Sequence, residues 1–402
     1  SCYTQKHYGG VWAWSILPPG VRSHNRFPID SEAGAPARCT KNEGSTQMAD
    51  RKVIVLGCGG FVGSHLTERL LSDGRFEVLG YDVADSKCQH LLGQPNFHFT
   101  KGYVDVTNTE QVLGPVLDGA EAIFSLAAVC NPAEYVKNPV FTINSNFIHA
   151  YKLVEICTKA KLWLIHTSTC EVYGRTIASY LPDNDYSNLD LFEQREEETP
   201  LVMGPTVNQR WTYAASKALF ERYIYANHTE NGLPFTIIRP YNWFGPRMDY
   251  IPGRDGEGIP RVLACFMQAL LDGKPMMLVD GGKAYRTITY IQDAVDALSR
   301  MLDVPNKAKN NFFNLGNRAN EVTMRDLAHL MRDVYAEITG DPAYKSHPIE
   351  VIASEKFYGP GYEDCDRRVP DVGRAERLLD WEAKVPLRET LFHTMSHFHE
   401  LY

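Results

Sequence analysis

The sequence predicts an α/β fold, a doubly wound parallel sheet followed by a smaller C-terminal substrate domain, and three observations carry that expectation. Short apolar runs alternate with helical patterns over residues 52–240. The first run is followed by Gly57, Gly60 and Gly63, spaced GxxGxxG at the opening of a helix. The second run ends in an acidic residue, Asp82. In order, KVIVL (52–56) reads as a buried strand, GCGGFVGSHLTERLL as turn and helix, and FEVLGYDV as the second strand. FHFTKGYVDV, a helix over 109–117, EAIFSLAA, a long helix over 141–159 and LWLIHTST continue the alternation. A helix carrying Tyr213 and Lys217 precedes the strand FTIIRP. From Asn242 the chain becomes loop rich, with helices over 261–271, 291–302 and 323–335. The expected division is 50–240 for the nucleotide-binding domain and 241–402 mainly for the substrate domain, with some chain returning to the first.

The glycines allow a tight turn and bring backbone amides close to a pyrophosphate at the positive end of the helix. Asp82 stands where a carboxylate accepts hydrogen bonds from an adenosine ribose and repels a 2′-phosphate, which selects NAD over NADP. Phe61 at the helix start, Asp105 after the third strand, and Leu126 with Ala127 after the fourth are the further cofactor positions. Tyr213 and Lys217 lie one helical turn apart in RWTYAASK. An ammonium beside a phenol favours the phenolate, so Tyr213 is expected to be lowered and to take a proton from a sugar hydroxyl as hydride leaves the same carbon.

Composition fits an enzyme of this kind. The 402 residues are 44% hydrophobic and 22% charged, ordinary globular usage. A net charge of −8 argues against a nucleic-acid binder and leaves anionic ligands to local arginines. No apolar run reaches the length of a membrane span. Nine cysteines without a CxxC pair fit reduced thiols and a cytoplasmic setting. No His, Cys and carboxylate set has metal-ligand spacing. Residues 1–49, rich in Pro, Gly, Ser and Asn ahead of Met48-Ala49-Asp50, are expected to be a disordered leader, with organellar targeting only weakly supported.

GCGGFVGSH, LAAVCNPAEY, STCEVYG, QRWTYAASK, RPYNWFGPRMDYIPG, GIPRVLACF, VDGGKAYRTITYIQDA and FYGPGYEDCDRRVPD together resemble the extended short-chain dehydrogenase/reductase superfamily, the NAD-dependent epimerase/dehydratase type. Within it they are most similar to the UDP-apiose/UDP-xylose synthases, and next to the UDP-glucuronate decarboxylases of the aminoarabinose pathway. The resemblance implies oxidation of UDP-glucuronate at the 4-hydroxyl, loss of carbon dioxide from the β-keto acid, and ring contraction or reduction to UDP-apiose and UDP-xylose. It implies Tyr213 as base, Lys217 as its partner, Thr169 as the hydroxyl that bonds the reacting oxygen, Glu171 as a carboxylate near the sugar acid, and Arg368 as the arginine that binds the carboxylate and supplies a proton. Cys130 and Cys170 match cysteines of the synthases, the decarboxylases having serine in place of Cys170, and a thiol/thiolate pair there could carry the protons of ring contraction.

For the substrate, Arg210, Arg261 and Arg286 are expected on diphosphate and uracil, Asn242 on a phosphate or the sugar, and Tyr135, Tyr241, Tyr358 and Asp364 around the sugar. Arg239 and Arg247 are weighed as structural ion-pair partners, and the acidic stretch EQREEE (193–198) as a solvated face or a cover over the sugar. The partner implied is a second copy, paired through the helices over 141–159 and 213–228. Two rival functions remain at this level: a decarboxylase that stops at UDP-xylose or a 4-keto pentose, and a non-catalytic NAD-binding structural subunit, which the retained Tyr213, Lys217, Glu171 and Arg368 weigh against.

Overall fold

Alternation along the first strand builds both layers around the sheet. In β1 (Arg51–Leu56), Val53 and Val55 enter one core with Leu66 and Leu70 of α1 (Phe61–Asp73). Ile54 and Leu56 enter the opposite core with Leu153 and Val154 of α2 (Tyr151–Ala160) and Phe220 and Ile224 of α3 (Thr212–Asn231). The computed structural model describes residues 49–180, 187–256, 259–358 and 363–402, so the expected leader lies almost wholly outside the described residues.

The main sheet holds seven parallel strands. After β1 come β2 (Phe76–Asp82), β3 (Phe97–Lys101), β4 (Ala120–Ser125), β5 (Trp163–Thr167), β6 (Phe235–Pro240) and β7 (Asn311–Leu315), in spatial order β7-β6-β5-β4-β1-β2-β3. Leu56 pairs with Tyr81 on one side and Ser125 on the other, all in parallel register. The direction of winding therefore reverses between β1 and β4, and a crevice opens beyond their carboxyl ends.

Several elements differ from the sequence reading. The third strand stops at Lys101, before GYVDV. The helix from Thr109 gives way at Leu113 to a 3₁₀ turn, Gly114–Val116, which contains Pro115. The long helix is broken into Pro139–Ile143, a π turn over Asn144–Ile148, and α2. In that turn the buried Asn146 donates to the carbonyls of Val129 (3.0 Å) and Thr142 (2.9 Å) and accepts from the Val129 amide (3.2 Å). The acidic stretch also departs from expectation: Glu193–Gln194 forms a short parallel ladder with Val369–Pro370.

A second core gathers α4 (Val262–Asp272), α6 (Met324–Thr339) and α7 (Leu387–Leu401), with Met276 and Leu278 among the buried residues. Thr323 caps α6, its hydroxyl accepting from the Asp326 amide at 3.0 Å. Between these elements, α5 (Ile291–Asp303) and β7 return to the first core, with Ile291, Leu298 and Phe313 fully buried there. Arg239 and Arg247 are ion-paired, Arg239 with Glu221 at 2.6 Å in the interior and Arg247 with Glu68 at 2.7 Å.

Candidate active site

The crevice holds a cavity of about 500 Å³ lined by Gly57, Gly60, Phe61, Gly63, Asp82, Leu126 and Ala127 among others. Its turn is closed by backbone contact. Gly57 has φ +91°, and a Cβ there would lie 2.8 Å from the Ala127 amide nitrogen. A Cβ on Gly63 would overlap the Gly57 carbonyl, and one on Gly59 the Ala84 carbonyl. Gly59 is thus as constrained as Gly57 and Gly63 and more so than Gly60, a requirement set by the loop after β2 and absent from the GxxGxxG spacing. No side chain caps α1 at Gly60, which leaves the helix end to face the cavity with its amides. Asp82 accepts from the amides of Gly59 (2.9 Å) and Ala84 (3.1 Å); burial raises its carboxyl against the pull of those amides. Asp105 lies beside the cavity rather than in its lining, and its Oδ1 caps a turn, accepting from the Thr107 amide (2.7 Å) and hydroxyl (2.6 Å). Tyr103, Val104 and Thr109 line that part of the cavity instead.

Tyr213 is buried, its ring stacked on Tyr135 at 4.6 Å between centroids. Burial, then Cys130 and Glu171, push its phenol well above the ordinary range, and a hydrogen bond with Thr169 pulls the other way. The lowering by Lys217 read from the sequence is not what this arrangement produces. Lys217 Nζ is bonded instead to the Thr167 carbonyl (2.9 Å) and to His166 Nε2 (3.4 Å), and burial lowers it to about 8. The two cysteines are not alike. Cys130 is exposed and lines the cavity, whereas Cys170 is buried and its thiol is pushed up to about 11 by burial, with Arg368 opposing. Thr169 Oγ1 accepts from the Glu171 amide at 3.1 Å, which starts the 3₁₀ turn Cys170–Tyr173.

Beside this pair lies a cluster of five charges. Arg210 grips Glu171 with both guanidinium ends, at 2.7 and 2.8 Å, and lies 6.0 Å from the Tyr135 ring. Arg368 reaches Glu171 at 3.5 Å and Asp364 at 3.6 Å, and Arg286 is bonded to Asp364. Burial alone would raise the Glu171 carboxyl, but Arg210 and then Arg368 outweigh it and hold it at about 2. Asp364 is lowered against its burial by Arg286, Arg368 and Arg210. Arg210 and Arg286 are thus paired with carboxylates, and Arg261 likewise with Asp249 at 2.6 Å. Arg368, only 2% exposed, has an Nε and an Nη2 without a hydrogen-bond partner. Its backbone is fixed from two sides, the Thr287 hydroxyl donating to its carbonyl at 3.1 Å and the next residue entering the ladder with Glu193.

Asn242, at φ +38°, holds the Thr287 carbonyl through Nδ2 at 3.0 Å and so supports the same segment. Tyr241 is fully buried with its hydroxyl on Gln194 Oε1 at 2.8 Å, which removes it from the sugar-lining set. Tyr358 ends the short helix Ser354–Tyr358, packed edge-on to Phe357, directly before residues 359–362, which lie outside the described residues. Among the described residues, no His, Cys, Asp and Glu group could hold a metal, and no helix is long and apolar enough to cross a membrane.

Residues 53–316 match the family model described as the NAD dependent epimerase/dehydratase family. The chain is 42% identical over 396 residues to a UDP-D-apiose/UDP-D-xylose synthase of Oryza sativa subsp. japonica, covering 96% of each chain. It is 44% identical over 362 residues to UDP-D-apiose/UDP-D-xylose synthase 1 of Arabidopsis thaliana, covering 87% of this chain and 92% of that one. Among solved structures it is similar to the PbgP3 protein of Burkholderia pseudomallei, at 28% identity and a TM-score of 0.73, covering 87% of this chain and 96% of the other. The glycine turn, the uncapped α1 and the Asp82 carboxylate at the cavity fit NAD, the cofactor of the family. Fold, cavity and relatives together show that the chain belongs to the NAD dependent epimerase/dehydratase family, in the branch that holds UDP-apiose/UDP-xylose synthases.

Proposed function

We propose that the chain converts UDP-glucuronate to UDP-apiose and UDP-xylose. The observation that carries this reading is the charge of the cluster: among the described residues three guanidiniums, Arg210, Arg286 and Arg368, face two carboxylates, Glu171 and Asp364, an excess of one positive charge. A buried surplus charge with unpartnered N–H groups on Arg368 fits a substrate that brings its own carboxylate. The relatives supply the nucleotide and the sugar products.

NAD, when bound, supplies hydride acceptance at the sugar C4 and returns that hydride at the end, without net redox change. The chain's own residues do the rest. Tyr213 Oη takes or gives the proton at the sugar 4-oxygen, held in line by its hydrogen bond with Thr169. Arg368 holds the carboxylate, and Glu171 with Arg210 forms the wall against which the sugar is oriented. Cys170, kept as a thiol, gives a proton in ring contraction, and Cys130, open to the cavity, takes one. The expected partner is a second copy: Val140 (70% exposed), Phe141, Ile143 and Ile148 lie close to α3, which exposes Leu219 (49%) and Tyr225. Reduced thiols suit a cytoplasmic setting.

Incubation with NAD and UDP-glucuronate, with sugar products read by NMR, tests the proposal. UDP-apiose or its cyclic phosphate beside UDP-xylose is the expected result. UDP-xylose or a 4-keto pentose alone would reduce the chain to a decarboxylase, and no turnover by a folded, NAD-binding protein would overturn the reading.

A further inference from the structure

The mechanism above leaves a buried histidine beside Lys217 unused. His166 stands on β5, 2% exposed, with Nδ1 3.2 Å from Ser125 Oγ on β4 and Nε2 3.4 Å from Lys217 Nζ on α3. Its ring is closed in by Phe220, edge-on at 4.7 Å. We infer that His166 is a positioning residue which, locked by Ser125 in the Nδ1-protonated tautomer, offers Nε2 as a fixed acceptor that aims and stabilises the Lys217 ammonium. The inference rests on the reading of Lys217 as the partner of Tyr213.

The donor and acceptor inventory leaves little choice. An ammonium has three donors and no acceptor, so an imidazole nitrogen facing it must present a lone pair. That puts the ring proton on Nδ1, where the Ser125 hydroxyl can accept it. The Thr167 carbonyl takes a second ammonium hydrogen at 2.9 Å, and the two acceptors from β5 together fix the direction of the third. The titratable groups that act on Lys217 come from three elements: Glu221 on its own helix, Cys130 on the segment after β4, and the neutral ring on β5. The ring stays neutral because burial, and then Lys217 itself, drive it well below the ordinary histidine range. Ser125 also lines the cofactor cavity, so the string Ser125–His166–Lys217 runs from the cavity wall to the helix carrying Tyr213.

Removing the acceptor should disfavour the ammonium. His166→Phe is expected to move the alkaline limb of kcat/KM to lower pH by roughly one unit, while His166→Gln, whose amide oxygen can accept, keeps it. A readout free of turnover comes from the full-length protein labelled with 15N-histidine. His166 should show Nδ1 protonated, with no protonation of the ring itself between about pH 5 and 9, and a small inflection of Nε2 as Lys217 titrates near 8. An Nε2-protonated ring, a flat Nε2 signal, or a His166→Phe enzyme that loses thermal stability with its pH limb unmoved would overturn the proposal. A wild-type protein inert on UDP-glucuronate that still shows the tautomer and the inflection would overturn the functional reading and leave this one standing.

Discussion

In the proposed mechanism Cys130 and Cys170 divide two tasks, and what separates them in the structure is exposure. Burial raises Cys170 to about 11 and keeps it a thiol at neutral pH, whereas Cys130 is exposed on the cavity wall. Cys130→Ala and Cys170→Ser are each expected to lower UDP-apiose by about 10²-fold while decarboxylation falls less than tenfold, read by NMR of the product mixture. Equal loss of both products would return the cysteines to packing. Glu171 allows a pH argument with a definite sign. Its carboxyl sits at about 2 in the folded chain and at roughly 4.3 in an unfolded one. The stabilisation is therefore complete above about pH 4.3 and is lost as pH falls through 2. Tm measured across that window should fall steeply for the wild type and less steeply for Glu171→Gln; identical slopes would refute the link. At this scale the sequence named the right residue types in the cluster, and Arg210 shows what it could not name. Its partner, Glu171, comes from another element, so the carboxylate that a tertiary contact places on this guanidinium could not be read from the sequence.

At the scale of elements, the strands and the glycine turn were legible because period-two apolar runs and glycine spacing record burial and backbone conformation directly. The breaks were not. The π turn at Asn144–Ile148 sits inside a pattern that reads as continuous helix, since an extra residue per turn leaves apolar spacing almost unchanged over five residues. The ladder at Glu193–Gln194 was hidden by its charges, which mark a solvated face unless the opposing strand is known. The π turn carries a prediction of its own. Asn146 makes three hydrogen bonds, two of them to Val129, immediately before Cys130. Asn146→Ala should cost about 1–3 kcal/mol, seen as a lower Tm, and should weaken NAD binding in calorimetry because the wall of the cavity loosens. A destabilised variant with unchanged NAD affinity would confine Asn146 to folding.

For the whole molecule, the apolar residues left outside both cores are informative. Val140, Phe141 and Leu219 lie on neighbouring helical segments that a second copy would cover. Val140→Glu combined with Leu219→Glu should convert a dimer to a monomer in sedimentation velocity without loss of the fold. A wild-type chain that sediments as a monomer would remove the proposal. A different kind of wholeness follows from the ladder that holds the Arg368 segment. Apart from Arg261 the nucleotide cradle draws on residues 56–153, whereas the segment of Arg368 is held where Glu193–Gln194, the segment near Thr287 and Val369–Pro370 meet. Contacts so distant in sequence close late when a chain folds. On the proposed reading, a chain caught part-folded would therefore hold its nucleotide cradle before its carboxylate pocket.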